Sequence, residues 1–153
     1  MKKIFILTSF FILSCLCLQA QSKWYFAPSV NLANVHDSWG FNTSLTIGHY
    51  LGEKPYRVDV WGAYIFVSDN NVFSVSALFT KELSISRWVL CGSIGAGMQK
   101  SQLVDHADFI IPVRCNYGYR LTNSLILGAE LTVSFNVEKR TASYFGLFFG
   151  IRL

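Results

Sequence analysis

Leu125-Ile126-Leu127-Gly128-Ala129-Glu130-Leu131-Thr132-Val133-Ser134-Phe135-Asn136 is the stretch on which the fold turns. Leu125, Leu127, Ala129, Leu131, Val133 and Phe135 fall on one face of an extended chain. Gly128, Glu130, Thr132, Ser134 and Asn136 fall on the other. Successive side chains of a strand point to opposite faces, so this period-two pattern predicts a strand whose two faces meet different environments. Its length is close to the roughly 9–11 residues that a tilted strand needs to cross a bilayer.

The same reading extends in both directions. The closing segment sets Phe145, Leu147, Phe149, Ile151 and Leu153 against Tyr144, Gly146, Phe148, Gly150 and Arg152. Near the start, Trp24, Phe26, Pro28, Val30 and Leu32 oppose Tyr25, Ala27, Ser29 and Asn31. In between, Phe73, Val75, Ala77 and Phe79 oppose Ser74, Ser76, Thr80 and Glu82. Eight such runs are expected, at about 23–33, 40–51, 56–67, 72–82, 87–99, 109–121, 125–136 and 144–153. Gly52-Glu53-Lys54-Pro55, Leu83 to Ile85 and Thr122-Asn123-Ser124 read as tight turns. They alternate with more polar connections at Asn34 to Trp39, Ser68 to Asn71, Lys100 to Asp108 and Val137 to Ala142. Alternation places the two kinds at opposite ends of the strands, as in an up-and-down barrel with short periplasmic turns and outer loops. An even strand count closes the sheet and leaves no edge.

Charge and size decide which face looks out. The polar face carries Arg57, Asp59, Glu82, Arg114, Arg120, Glu130 and Arg152 among Gly, Ser, Asn and Thr. The apolar face carries rows of Phe, Leu, Val and Ile. Trp24, Tyr56, Trp88 and Tyr119 lie toward the tight-turn end. Phe41, Phe66, Phe73, Phe109 and Phe135 lie toward the loop end. Two aromatic girdles around an apolar band mark a lipid-facing surface. The polar face then fills an interior just wide enough for side chains, as a charge-paired core. The competing arrangement is a soluble lipocalin-like barrel with the faces exchanged. A charged content of only 14% weighs against it.

Met1–Ala20 has the parts of a secretory signal. Lys2 and Lys3 precede an apolar run from Ile4 to Leu18, and Leu18-Gln19-Ala20 offers a cleavage site before Gln21. The run is shorter than the ~20 residues of a spanning helix. Ile12-Leu13-Ser14-Cys15 leaves lipidation at Cys15 as an alternative. The domain organisation expected is a signal peptide at 1–20 and one barrel domain at 21–153. Loss of Lys2 and Lys3 leaves 11 basic against 9 acidic residues, which gives no basis for nucleic acid as a partner. Of four cysteines, Cys91 and Cys115 stay in the mature chain. They fall on neighbouring strands but on opposite faces, so a disulfide would need a bulge, which Pro112 could mark.

In Tyr119-Arg120-Leu121-Thr122-Asn123-Ser124-Leu125-Ile126-Leu127-Gly128-Ala129-Glu130-Leu131 and Tyr144-Phe145-Gly146-Leu147-Phe148-Phe149-Gly150-Ile151-Arg152-Leu153, with the Leu-Gln-Ala-Gln signal end, the chain resembles the small outer-membrane β-barrel proteins of Gram-negative bacteria. These are of the OmpA-transmembrane and OmpX type, in the versions common in Bacteroidetes. The resemblance is one of pattern across the whole mature chain. It implies a monomeric, non-enzymatic outer-membrane protein without a cofactor. Outer-membrane lipid and lipopolysaccharide would surround it, and the barrel-assembly machinery would recognise the last strand. Leu153 stands where such strands usually end in an aromatic residue.

Three constellations could carry chemistry. His36-Asp37-Ser38 holds a base, an acid and a nucleophile type, but adjacent residues diverge in direction and a triad is a spatial arrangement. His106 with Asp105 and Asp108 could hold a metal, though the spacing matches no strong ligand pattern. Gly92, Gly95 and Gly97 lack the order of a phosphate cradle and read as strand glycines relieving crowding inside a curved barrel. His49 falls on the lipid-facing register. No catalytic, cofactor-binding or metal residue is therefore assigned. A lipid A- or phospholipid-modifying enzyme using His36 or His106, and a soluble periplasmic binder, remain the alternatives.

Overall fold

The structure is a computed structural model that describes residues 23–35, 38–52, 55–67, 71–102, 106–136 and 141–153. The proposed signal segment Met1–Ala20, with Cys15, lies outside them. Eight strands follow one another: β1 (Trp24–Val35), β2 (Ser38–Tyr50), β3 (Tyr56–Val67), β4 (Val72–Ile85), β5 (Trp88–Ser101), β6 (Asp108–Arg120), β7 (Leu125–Asn136) and β8 (Thr141–Arg152). Each pairs antiparallel with the next, and β8 pairs with β1, closing the barrel. The ladder has no free edge, so every strand finds backbone partners on both sides.

The strands run further than the polarity of the sequence suggests. β1 continues to Val35 and β2 begins at Ser38, so the connection is only 36–37. β4 continues to Ile85, with Leu83 opposite Leu90 and Ile85 opposite Trp88. The chain therefore reverses at Ser86-Arg87 and not at Leu83 to Ile85, with Ser86 in the left-handed region at φ 56°. A two-residue hairpin commonly requires a positive φ at its first central position. Polar residues do not end a strand whose neighbour keeps offering hydrogen bonds. The expected contrast in length between the two ends is largely consumed by this extension. At 121–124 the Thr122 hydroxyl accepts from the amides of Ser124 (3.2 Å) and Leu125 (3.1 Å), which fixes the last turn of that end.

The faces fall as the alternation predicts. Tyr25, Ala27, Ser29 and Asn31 are buried, and Trp24, Val30 and Leu32 are exposed. Glu130, Thr132 and Ser134 are buried, and Leu127, Leu131 and Phe135 are exposed. This excludes the lipocalin-like arrangement, in which the large apolar residues would line the inside. The interior is layered. An apolar layer of Ala33, Val35, Ile65, Val72, Ala142 and Tyr144 lies toward the loop end. Tyr25, Ala27, Val89, Ile126 and Phe148 form a second toward the termini. Polar and charged side chains occupy the space between and below.

Two details of β5 and β6 bear on the sequence reading. The β5–β6 register is unshifted from Trp88 opposite Tyr119 to Gln99 opposite Asp108, so Pro112 marks no bulge. Cys91 accordingly faces Asn116 and Cys115 faces Gly92; the first thiol is buried, the second exposed, and both are free. Gly95 and Gly97 point inward, where a Cβ would strike the backbone of β4 at Ala77 and Val75. Gly92 points outward with nothing within 4 Å of such an atom, so it does not relieve interior crowding. A lipid-soluble maleimide should label Cys115 in the folded protein and Cys91 only after unfolding. A mobility change on reduction of the monomer would contradict the unpaired state.

Candidate functional site

The most organised chemistry in the molecule is the charged interior. Arg57 on β3 grips its strand neighbour Asp59 with two bonds, Nε to Oδ1 at 2.5 Å and Nη2 to Oδ2 at 3.0 Å. Residues two apart on one strand share a face, so the sequence Arg-Val-Asp builds this pair locally. Asp59 also accepts from Thr80 of β4 at 2.6 Å. The Arg57 guanidinium lies 3.7 Å over the Tyr25 ring, which covers its flat face.

Glu82 is a second hub, nearer the termini. It accepts from Tyr50 (2.8 Å) and Ser84 (2.9 Å) and pairs with Arg152. Arg120 stands 3.6 Å away and donates to Ser84 at 2.9 Å, while Arg57 donates to Tyr50 at 3.2 Å. β2, β3, β4, β6 and β8 are thus joined through one carboxylate. The third hub is Glu130 on β7. It takes Arg114 of β6 at 2.8 Å, Ser29 at 2.6 Å and Asn31 at 2.7 Å. Arg114 reaches across the barrel to Thr46 at 2.9 Å and lies 5.4 Å from the Trp61 ring.

All seven charged residues that the sequence places on the polar face are therefore inside, and every one is paired. Isolated buried charges are prohibitively unfavourable, whereas paired and hydrogen-bonded ones are tolerated. The arrangement locks strands distant in sequence and fills the lumen. Trp61 was not legible as an interior anchor, although it shares the parity of Arg57 and Asp59. It is buried against Tyr144 at 6.0 Å between ring centres.

The outer face is the converse. Trp24, Trp88, Phe41, Phe66, Phe73, Phe109 and Phe135 are exposed, together with Leu, Val and Ile on every strand. At the terminal end Trp88 stacks on Tyr117 (5.1 Å) and meets Tyr119 edge-on (4.9 Å). Trp39 at the loop end is a girdle member that its parity with Phe41 would have disclosed. In water such a surface would drive aggregation; against acyl chains it carries no penalty.

The two described histidines, His49 and His106, stand apart from these networks. His49 lies on the outward register against Trp24, with ring centres 4.9 Å apart. His106 Nε2 is 3.3 Å from Asp108 Oδ1, and the other oxygen of Asp108 accepts from Asn136 at 3.0 Å. Asp105 lies outside the described residues, as do His36 and Asp37; Ser38 opens β2. Among the described residues no three His, Cys, Asp or Glu side chains gather as a metal site would require. Among the described residues no helix is long and apolar enough to cross a membrane, which leaves crossing by strands open.

No family model matches the chain, and no curated protein does. Solved structures do. Neisserial surface protein A (NspA) superimposes with a TM-score of 0.70 at 10% identity, over 85% of this chain and 96% of that one. The N-terminal β-barrel domain of Pseudomonas aeruginosa OprF gives 0.67 at 12% identity, over 86% and 98%. The outer-membrane enzyme PagL gives 0.54 at 11% identity, over 84% and 99%. At these identities the likeness concerns backbone architecture, and with the inside-out distribution of side chains it leads to one conclusion: this chain has the fold of the small eight-stranded outer-membrane β-barrels.

Proposed function

We propose that the protein is a non-enzymatic integral barrel of the bacterial outer membrane, exported by the Met1–Ala20 signal, with a structural or surface-interaction role. The observation that carries this reading is the opposition of faces: aromatic and aliphatic side chains outward on all eight strands, and paired charges inward. Its partners are outer-membrane lipid and lipopolysaccharide around the band and the barrel-assembly machinery during insertion. Nucleic acid is not among them, and the working unit is a monomer. The start of β1 and the end of β8 lie at the end bearing the 51–55, 86–87 and 121–124 connections, and this end faces the periplasm. The opposite connections are short, so contact with other molecules at the cell surface involves the rim more than long loops.

An outer-membrane enzyme shares the architecture, but its catalytic chemistry is not carried over by backbone likeness. Fractionation combined with electrophoresis of unboiled and boiled samples tests the proposal. The protein should sediment with outer membranes and change mobility on boiling. Recovery in the soluble periplasm with no such change would overturn it. Lipid A from cells with and without the protein should give identical mass spectra; a lost acyl or phosphate difference would make it an enzyme instead.

A further inference from the structure

Lys81 stands on the wrong surface for a charge. It is exposed on the outward register of β4, between Phe79 on one side and Leu83 and Ile85 on the other. Two further lipid-facing apolar residues thus separate it from the end of its strand. At roughly 3.3 Å per residue and a tilt of about 40°, that offset is on the order of 10 Å along β4's share of the membrane normal, while across the ladder Lys81 stands opposite Tyr56, the first residue of β3, and so at the border of the wall on that side. Among the described residues no carboxylate pairs with it. Its neighbours across the ladder are Tyr56 on β3 and Gly92 on β5. The ammonium lies 5.9 Å over the Tyr56 ring, which is itself stacked on Phe79 at 5.6 Å.

Lys100 is the other outward-facing lysine of the described strands. It sits one residue from the end of β5, beside the connection, where water is at hand. Along its own strand Lys81 has apolar residues above and below it. A charge at the border of the apolar band is unfavourable unless a partner meets it, and with no carboxylate against it among the described residues the surroundings are a natural source of one. The surroundings here are lipid.

We propose that Lys81 anchors the phosphate of an anionic phospholipid on the outer wall formed by β3, β4 and β5, on the side of the barrel that carries the termini. The inference rests on the membrane-embedded reading above. Three features fit this occupant. The unpaired ammonium matches a phosphodiester bearing a net negative charge. Tyr56 supplies an aromatic face at headgroup level, where amphipathic rings favour the interface. Beside Lys81 the wall is open: a Cβ on Gly92 would meet nothing within 4 Å. Ala77 and Ala96 face each other further along the same two strands, so an acyl chain rising from the phosphate finds a shallow trough.

Native mass spectrometry of the folded full chain, released from micelles holding phosphatidylglycerol and phosphatidylcholine in equal amount, tests the site. The wild type should retain phosphatidylglycerol preferentially. Lys81→Gln should lower that preference about five-fold, the effect of one cationic side chain near a lipid surface. Lys81→Arg and Lys100→Gln should both preserve it. Gly92→Leu, which fills the trough, should reduce retention of both lipids. An unchanged preference in Lys81→Gln, or an equal loss in Lys100→Gln, would overturn the proposal in favour of unspecific attraction. Mobility on unboiled gels is read for each variant. Absence of a folded band in the wild type would instead refute the embedded barrel, and that outcome is distinct from loss of the lipid preference.

Discussion

Glu130→Ala is expected to lower the unfolding free energy of the barrel by about 3–5 kcal/mol, the range found when one member of a buried ion pair is removed. The carboxylate is buried at 2% exposure and Arg114 at 3%. Its removal strips the guanidinium of its 2.8 Å charged partner and leaves Ser29 and Asn31 without their common acceptor. Arg114 keeps only the 2.9 Å bond to Thr46 and the face of Trp61, too little to replace a carboxylate. The loss comes mainly from the stranded charge, so the double replacement Arg114→Met with Glu130→Leu should recover most of it. Urea unfolding in lipid vesicles, followed by tryptophan fluorescence and by mobility on unboiled gels, measures both. A loss below about 1 kcal/mol for Glu130→Ala would mean that water reaches the pair and screens it, as at exposed ion pairs. The interior would then be a wet lumen.

Much of this molecule is legible because a barrel strand encodes its surroundings at single-residue resolution. The parity of Leu125 to Asn136 alone assigns each side chain of β7 to lipid or interior, and neighbouring strands must agree. The same parity separates Cys91 from Cys115. The strand ends were less legible, because the signal used there is polarity. Leu83, Ser84 and Ile85 look like a turn, yet they continue the ladder to Trp88 because the partner strand offers matching hydrogen bonds. The partners within the interior were not legible at all. Sequence shows that Glu82 and Arg152 share a face, but only closure of β8 onto β1 brings residues seventy positions apart into contact. Lys81 shows the converse limit. Its parity was available throughout, and its meaning appeared only when Leu83 and Ile85 proved to be strand.

Leu131→Arg should cost about 2–4 kcal/mol, the penalty for a cationic side chain at the bilayer midplane of a transmembrane barrel. Leu131 lies mid-strand on β7 at 48% exposure, opposite Cys115 on one side and Phe145 on the other. A guanidinium there has no described carboxylate beside it and is far from either girdle, so it must draw water or headgroups into the hydrocarbon. The companion substitution Ile85→Arg separates this from any general effect of added charge. Ile85 is 77% exposed at the end of β4, next to Trp88, where the same chemistry should cost about 0–1 kcal/mol. If the outer face met water, both substitutions would sit near zero and Leu131→Arg could even improve solubility. The depth dependence, and not the size of either value alone, is what identifies the solvent. A hydrocarbon slab predicts a steep difference between the two positions on one face, and no aqueous surface does.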